Sequence, residues 1–223
     1  SGEVNPHYTD TFVFENDYSP FSQGEQPLES EVDPLMRVQH ADGVSRVICY
    51  SPHHSNTLPE LSHQSITRVI EAWCKEVADL ARDFLWVQVF ENKGTAMGSS
   101  QPHPHAQIWA TNFLPTEVMR KESHLKDYYQ SHGSNLLLDY VRRELDDGRR
   151  VVVSTDHWVA VVPYWAAWPF ETLLLPKSHV ERFDALNLVQ KQDLSTAIKE
   201  LTIRYDNLFS CSFPYSMGWH FAP

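Results

Sequence analysis

The feature of this sequence that most restricts its fold is a pattern of strand, proline, histidine and helix that occurs twice. In each copy an apolar strand is followed by proline and histidine, then by a leucine, a helix-capping residue and an amphipathic helix. The two leucines, Leu61 and Leu186, lie 125 residues apart, and the caps that follow them are Ser62 and Asn187. Such echoes are typical of duplicated structural units, although strand-loop-helix segments can also resemble each other without duplication.

Hydrophobic periodicity predicts the elements around this pattern. The predicted strands cover residues 11–14, 46–50, 86–90, 105–110, 151–153, 157–162 and 172–175. Helices are expected from 62 to 84, over 116–147, and around Leu194 to Tyr205, while residues 22–45 have the composition of a surface loop. The second unit stops before the strand that would match residues 105–110, and the chain begins with Ser1. We therefore expect a piece of a longer protein that lacks both termini.

Composition excludes several classes of protein. The 223-residue chain carries a net charge of −11, so it has no global basic surface for nucleic acid or anionic membranes. No apolar run approaches the roughly 20 residues that span a bilayer, and residues 1–4 do not resemble a signal peptide. The three cysteines are far apart, which favours a reducing cytosol over a disulfide framework. The sequence thus predicts a cytoplasmic protein without nucleic-acid or membrane partners.

The segment from residue 102 to 110, Pro-His-Pro-His-Ala-Gln-Ile-Trp-Ala, carries the clearest chemical signal. Alternate residues of a strand share a face, so His103, His105, Gln107 and Trp109 are expected on one side of it. Residues two apart lie roughly 6.6 Å apart, which allows one histidine to bind a metal while the next faces a substrate. Because proline donates no backbone hydrogen bond, Pro102 and Pro104 predict an edge strand.

The turn before this strand, residues 94–100, is rich in glycine and hydroxyl side chains. Its backbone amides and Ser100 form the kind of concavity that binds phosphate. Neutral imidazole is a good nucleophile near pH 7, so a histidine beside such a turn suggests a phosphohistidine-type intermediate, with Gln107 holding a phosphate oxygen. Two half-exposed histidines on an edge strand, without any chemistry, would give the same local pattern.

Longer motifs resemble the galactose-1-phosphate uridylyltransferase family, a branch of the histidine-triad superfamily. The resemblance covers nearly the whole chain, except the loop at 22–45 and parts of 117–135. Its most specific part is the His-Pro-His-x-Gln core with the Glu-Asn-Lys-Gly lead-in. The motifs are Gly2-Glu3-Val4-Asn5-Pro6, Phe14-Glu15-Asn16-Asp17, Ser51-Pro52-His53-His54, residues 57–62, residues 86–110, residues 162–170, Tyr205-Asp206-Asn207-Leu208-Phe209 and residues 212–220.

The resemblance implies a fold and a reaction. The fold is α+β, with two histidine-triad-like halves of antiparallel sheet and flanking helices, at residues 1–115 and 116–223, the second truncated before its last strand. The reaction moves a uridylyl group from UDP-glucose to galactose 1-phosphate by a ping-pong mechanism, in a homodimer whose subunits share active sites. The alternatives are a histidine-triad nucleotide hydrolase or phosphorylase, and a catalytically silent metal-binding fragment.

The resemblance also implies roles for individual residues. His105 is the nucleophile that forms uridylyl-histidine, and Gln107 and Ser100 hold the transferred phosphate. The implied contacts with the nucleotide are Phe14, Asn16, Asp17, Val47, Asn92 and Ser99. Many relatives have cysteine at the position of Ser99 and asparagine at that of Gln101, and neither difference touches the nucleophile.

Two metal sites are implied as well. His54 and His103 match two ligands of a structural zinc site, whose two cysteine ligands lie upstream of residue 1. His220 matches one ligand of a second site, for iron or zinc. The glutamate of that site aligns with Lys121, which cannot ligate a metal, or with Glu122, and its His-x-His lies beyond residue 223. Because these ligands are missing, we expect weak or no turnover from this chain alone.

Overall fold

Two antiparallel sheets and four helices make up the part of the chain that the structure, a computed structural model, describes: residues 6–21, 35–36 and 41–223. This arrangement confirms the predicted α+β class. The strands are β1 Phe12–Glu15, β2 Gly43–Cys49, β3 Trp86–Lys93, β4 His105–Thr111, β5 Val151–Ser154, β6 Trp158–Val161, β7 Leu173–Pro176 and β8 Tyr215–Trp219. The helices are α1 His63–Leu80, α2 Thr116–His132, α3 Leu136–Asp147 and α4 Leu188–Phe209.

The larger sheet has five strands in the order β1-β2-β4-β3-β8, and every neighbouring pair is antiparallel. Strand β4 therefore lies in the middle of the sheet, so the expectation of an edge strand was wrong. The physical reason is that β4 begins at His105, after both prolines. Pro104 lies just before the strand, and its carbonyl accepts from the Tyr50 amide at 3.2 Å. A proline at that position costs no ladder donor.

Helix α1 covers one face of this sheet, as its apolar periodicity predicts. Ser62 caps it by accepting from the Ser65 amide, which satisfies one of the free donors of the first turn. Its apolar stripe is fully buried, and Trp73 contacts the rings of Tyr50 and Trp219 at centroid distances of 5.8 and 5.6 Å. Burial of this stripe against the sheet is the main stabilising contact of the first half of the chain.

The smaller sheet has the order β5-β6-β7 and is joined to the larger one through helix α4. A capping box of Asn187 and Gln190 starts α4, as the cap position predicts. The buried residues Leu194, Ala197 and Ile198 lie on the face of α4 that packs against α1, β5 and β6. The two long helices therefore lie between the two sheets and share one hydrophobic core.

Two local predictions need correction. Residues 116–147 were expected to form one helical region, but the chain turns between α2 and α3, where Gly133 adopts φ +66°. A glycine in this conformation ends a helix, because other residues adopt it only at a cost. Strand β8 was not predicted, and it pairs with β3 over Tyr215–Trp219. The expected surface loop falls largely on residues 22–34 and 37–40, and the motif at residues 2–5 likewise lies outside the described residues.

A charged and hydroxylic cluster lies on the helix-covered side of β3, where the core would otherwise be apolar. Glu91 is 3% exposed, and its Oε2 accepts from the hydroxyl of Tyr50 at 2.8 Å and from that of Tyr215 at 3.1 Å. Lys93 is also buried, with Nζ 3.5 Å from Asp206 of α4 and 5.5 Å from the ring centre of Tyr215. Burial raises the pKa of Glu91 to about 7, although the two hydroxyls and Lys93 oppose the shift.

The raised pKa of Glu91 makes a prediction about stability and pH. The folded state holds the Glu91 proton up to about pH 7, while the unfolded chain releases it near pH 4.5. The stability contributed at this site is therefore fully present below pH 4.5 and is lost as the pH rises to 7. Relative to the wild type, Glu91→Gln should gain up to about 1.4 kcal/mol for each pH unit across this window.

Urea unfolding of both proteins between pH 5 and pH 8 measures this difference. Gln88→Ala is the control, since Gln88 lies on the same strand and its side chain does not titrate. The difference in unfolding free energy between Gln88→Ala and the wild type should stay constant with pH. If the difference in unfolding free energy between Glu91→Gln and the wild type also stayed constant between pH 5 and pH 7, the pKa shift would not belong to Glu91.

Candidate active site

The candidate site lies on the face of the five-stranded sheet opposite α1. Ala106 and Ile108 of β4 are fully buried towards α1, while His105, Gln107 and Trp109 are half-buried on the other face. This alternation agrees with the strand pattern predicted for residues 105–109. His103 precedes the strand, so its position is set by the loop and not by the pleat.

Neighbouring strands place aromatic and apolar side chains in a row with Gln107. Gln107 pairs with Val47 of β2 on one side and with Phe90 of β3 on the other, and Val47 pairs in turn with Phe14 of β1. Directly paired residues lie about 5 Å apart, so the four side chains form one continuous strip across the sheet. A flat ring laid on this strip would meet apolar contacts beside the amide of Gln107.

His105 lies one row further along β4 and is held by its own loop. Its Nδ1 lies 2.7 Å from the carbonyl oxygen of His103. Because a carbonyl oxygen only accepts, Nδ1 carries the proton in this contact, and Nε2 keeps its lone pair. The arrangement therefore presents Nε2 as the nucleophilic nitrogen and fixes the orientation of the ring.

His103 and His54 form a compact pair beside this loop. Their Nδ1 atoms are 2.8 Å apart, and Nε2 of His103 donates to the carbonyl of Ser51 at 2.9 Å. The Tyr8 hydroxyl lies 3.3 Å from the same carbonyl and 3.4 Å from His103 Nε2. Partial burial lowers the pKa of His103, and the neighbouring His54 and His105 lower it further against the effect of the Ser51 carbonyl. The ring is thus held in its neutral form.

This pair fits part of a zinc site. Two neutral imidazole nitrogens that face each other are suitable zinc ligands, and the Ser51 carbonyl supplies the outer hydrogen bond that usually orients such a ring. Among residues 6–21, 35–36 and 41–223, however, no group of three His, Cys, Asp or Glu side chains is placed to hold a metal. Among the described residues, the pair could therefore fill at most two of the four ligand positions that a structural zinc normally has.

His220 lies just beyond β8, on the opposite side of β3 from β4. Its Nδ1 is 3.5 Å from the ammonium nitrogen of Lys121, and burial together with that charge lowers the pKa of His220. A bound cation at this place would be repelled by Lys121. The described residues around His220 therefore do not fit a second metal.

The predicted polar contacts Asn92, Asn16 and Asp17 lie towards the two sides of this face. Asn92 of β3 pairs with Ser216 of β8, and the Ser216 hydroxyl donates to its Oδ1 at 2.6 Å. On the other side, the Asn16 amide donates to the Ser45 carbonyl at 2.8 Å, and its side chain accepts from the Tyr18 amide at 3.0 Å. Asp17 follows at the exposed end of β1. The His105 and Gln107 rows lie between these two sides.

The turn before β4 is arranged differently from the expected phosphate nest. The amides of Met97, Gly98 and Ser99 donate to carbonyls of Gly94 and Thr95 within the turn. The Ser99 hydroxyl donates to the Gln101 carbonyl at 2.9 Å, while Ser100 is exposed. These three amides are engaged inside the turn, so they do not form an open anion site.

Sequence reasoning missed three residues that organise the site: Tyr8, Ser51 and Ser216. Tyr8 acts through tertiary contacts that no local pattern reveals. The Ser51 carbonyl is a backbone group, for which the side-chain type gives no signal. Ser216 had a usable signal, because large apolar side chains alternate with small residues over Tyr215–Trp219, but Gly218 weakened the strand pattern.

Comparisons with known proteins identify the relatives of this chain. Family models for the N-terminal and C-terminal domains of galactose-1-phosphate uridyl transferase match residues 1–115 and 121–223. Galactose-1-phosphate uridylyltransferase of Haemophilus influenzae is 53% identical over the whole chain, and that of Rattus norvegicus is 48% identical. The chain spans 64% and 59% of the length of these two curated relatives.

Solved structures agree with these relatives. A uridylyltransferase structure matches the whole chain with a TM-score of 0.90 and 27% identity, over 70% of its own length. An ADP-glucose phosphorylase from Arabidopsis thaliana with bound ADP-glucose matches 96% of the chain with a TM-score of 0.81 and 27% identity, over 66% of its own length. The two family models cover nearly every residue, and the chain therefore belongs to the galactose-1-phosphate uridylyltransferase family.

Proposed function

We propose that this chain carries the nucleophile of an enzyme that moves a uridylyl group from UDP-glucose to galactose 1-phosphate. The observation that carries the proposal is the hydrogen bond between His105 Nδ1 and the His103 carbonyl, 2.7 Å long, which leaves Nε2 free to attack. The names of the curated relatives, at 53% and 48% identity, supply galactose 1-phosphate and the transferred uridylyl group, and the family resemblance implies UDP-glucose as the donor.

In the first half-reaction, the Nε2 lone pair of His105 attacks the α-phosphorus of UDP-glucose. A P–N bond forms, and the bond from the α-phosphorus to the bridging oxygen breaks. Glucose 1-phosphate leaves with the electron pair of that bond. The Nδ1 proton stays on the ring, which becomes positively charged, and the His103 carbonyl stabilises this charge because it already accepts from Nδ1.

The second half-reaction reverses these steps with another sugar phosphate. A phosphate oxygen of galactose 1-phosphate attacks the α-phosphorus, the P–N bond breaks, and its electron pair returns to Nε2. UDP-galactose leaves and His105 is restored. One site thus handles both transfers, because the leaving glucose 1-phosphate and the attacking galactose 1-phosphate differ only in the hexose.

The remaining site residues hold the nucleotide in this proposal. Gln107 and the exposed Ser100 contact oxygens of the transferred phosphate. Phe14 and Val47 form an apolar surface for the uracil ring, which can lie on the strip described above. Polar contacts with uridine come from Asn16, Asp17, Asn92 and Ser99.

The two other functions considered from the sequence have less support. Hydrolase or phosphorylase chemistry would use the same strand, and one structural neighbour is an ADP-glucose phosphorylase, but at 27% identity. Relatives at 40–53% identity carry the transferase name. A catalytically silent fragment would form no covalent intermediate, so the experiment below separates it from both enzymes.

We also propose that His54 and His103 hold a structural zinc ion together with ligands from other segments. The zinc would supply no Lewis-acid step. Its effect would be to fix the loop that contains the His103 carbonyl, and through it the ring of His105. At His220 no metal is proposed, because Lys121 lies against that imidazole.

A homodimer and a cytoplasmic location complete the proposal. Trp165, Trp168 and Phe170 are each more than half exposed, and aromatic side chains of this kind are enriched at protein interfaces. Scattered free cysteines fit a reducing compartment. No helix among the described residues is long and apolar enough to cross a membrane.

The covalent intermediate can be tested by mass spectrometry of the intact protein after incubation with UDP-glucose. The wild type should gain one uridylyl group that acid removes and galactose 1-phosphate clears. His105→Asn should lower the rate of adduct formation at least about a thousandfold, since the nucleophile is gone.

His53→Asn is the matched control, because His53 is an exposed histidine outside the site, and its adduct should form at the wild-type rate. An adduct that persists in His105→Asn would place the nucleophile elsewhere. An adduct that water clears as fast as galactose 1-phosphate does would favour the hydrolase. A folded, zinc-loaded wild type without any adduct would rule out the catalytic proposal for this chain.

Zinc binding can be tested without activity, by titration against a coloured chelator of known affinity. His54→Ala and His103→Ala should each weaken zinc binding by more than about tenfold, because each removes a ligand. His179→Ala serves as the control, since this histidine lies beyond β7, next to Asn135. If His54→Ala, His103→Ala and His179→Ala all bound zinc with the same affinity, the assignment of a zinc site to His54 and His103 would be wrong.

A further inference from the structure

We propose that the buried carboxyl group of Glu91 is a positioning residue that holds both edges of the active site in register. The proposal rests on the function proposed above. Glu91 touches neither substrate nor the reacting atoms, because it points to the helix-covered side of β3. It acts through the hydroxyl groups of Tyr50 and Tyr215, which come from different parts of the chain.

The central observation is that one oxygen serves two hydroxyl groups. Oε2 of Glu91 accepts from Tyr50 at 2.8 Å and from Tyr215 at 3.1 Å. Tyr50 follows β2, and Tyr215 begins β8, so these contacts span 41 and 124 residues of sequence. Burial raises the pKa of both tyrosines well above the ordinary value, so each stays a donor at neutral pH.

The contact between Glu91 and Tyr50 is connected to the nucleophile His105 through the backbone at Tyr50 and Ser51. The Tyr50 amide donates to the Pro104 carbonyl at 3.2 Å, directly before His105. The carbonyl of the next residue, Ser51, accepts from Nε2 of His103 at 2.9 Å. The backbone of Tyr50 and Ser51 therefore holds the loop whose His103 carbonyl fixes the Nδ1 proton of His105.

The contact between Glu91 and Tyr215 is connected, through Ser216, to Asn92, where a contact with the nucleotide is proposed. Ser216, the next residue of β8, lies on the opposite face and donates to Oδ1 of Asn92 at 2.6 Å. Asn92 in turn follows Glu91 on β3. A shift of β8 along β3 would move Tyr215 away from the carboxyl group and Ser216 away from Asn92 at the same time.

Stability alone does not explain a carboxyl group at this place. Burying it is unfavourable even with two donors, and an apolar side chain would fill the same core without that cost. Lys93 of β3 and Asp206 of α4 lie beside this cluster, and Lys93 Nζ lies 3.5 Å from Asp206. What the carboxyl group provides is a fixed distance between Tyr50 and Tyr215, which apolar contacts do not specify.

The contacts of Glu91 with Tyr50 and with Tyr215 predict different kinetic effects. Both are read from the rate of single-turnover adduct formation, measured at increasing UDP-glucose concentration. Tyr50→Phe should lower the maximal rate about five- to tenfold and leave the half-saturating concentration unchanged. Tyr215→Phe should raise the half-saturating concentration by a similar factor and leave the maximal rate unchanged. Each factor corresponds to the loss of one hydrogen bond. Glu91→Leu, which fills the same core without an acceptor oxygen, should show both effects.

Glu144→Leu is the matched control. Glu144 is 1% exposed and is bound by Arg150 at 2.9 Å, but it lies on α3 beside the smaller sheet. Its replacement removes a buried carboxyl group of the same kind, and it should leave both kinetic parameters at the wild-type values per folded molecule. If Tyr50→Phe and Tyr215→Phe instead lowered only the amount of adduct formed, in proportion to the folded fraction, and left both parameters at the wild-type values, the positioning role would be wrong.

Hydrogen exchange gives a second readout that needs no catalysis. Exchange of the Tyr50 amide should speed up in Tyr50→Phe and Glu91→Leu, relative to amides of α4, and stay unchanged in Tyr215→Phe and Glu144→Leu. Unaltered exchange in Glu91→Leu would overturn the proposal. If the wild type forms no adduct, the proposed function fails, and the exchange result alone decides whether Glu91 positions the loop.

Discussion

The structure depends on the burial of α1 between the five-stranded sheet and α4. Apolar side chains of β2, β3 and β4 point towards α1, and Ile48, Val89 and Ile108 are fully buried there. Because strand side chains alternate, this fixes which residues face the other way. A shift of one residue in any of these strands would expose the core set and bury the site. The chemistry of the outer face is thus determined by the packing of the inner face.

The central position of β4 adds a second constraint. A strand with neighbours on both sides cannot tilt or slide without breaking two ladders, so His105 and Gln107 are presented on a rigid support. His103 lies outside that support, on the loop before it. Its position is supplied by the Ser51 carbonyl, by His54 and by Tyr8. The site therefore combines a rigid nucleophile strand with a loop that depends on distant contacts.

Local sequence patterns were sufficient for the elements and for the faces of the strands. The stripe of α1, its Ser62 cap and the alternation of residues 105–109 all depend on neighbours in the sequence, and these predictions were confirmed. The break at Gly133 was also local, but it was overlooked because both flanking segments are helical. The metal ligands and nucleotide contacts came from the family resemblance, and they stay predictions.

Local patterns did not predict which strands and side chains pair when they lie far apart in the sequence. Nothing near residues 102–110 indicates that β2 and β3 flank β4 on both sides, so the prolines suggested an edge. The contacts of Tyr8 with Ser51 and of Tyr215 with Glu91 join segments 43 and 124 residues apart. Side-chain type gives no information about such partners, because they are set by the topology of the whole sheet.

The pairing of β8 with β3 has a consequence for how the chain is made. During synthesis, β3 leaves the ribosome more than a hundred residues before Tyr215–Trp219 arrives to cover its free side. Until then the backbone donors and acceptors along that side face solvent, in an apolar strand of the kind that joins other unfinished chains. Closure of so long a loop is also slow. The nascent chain is therefore most exposed to aggregation along β3 until β8 emerges and pairs with it.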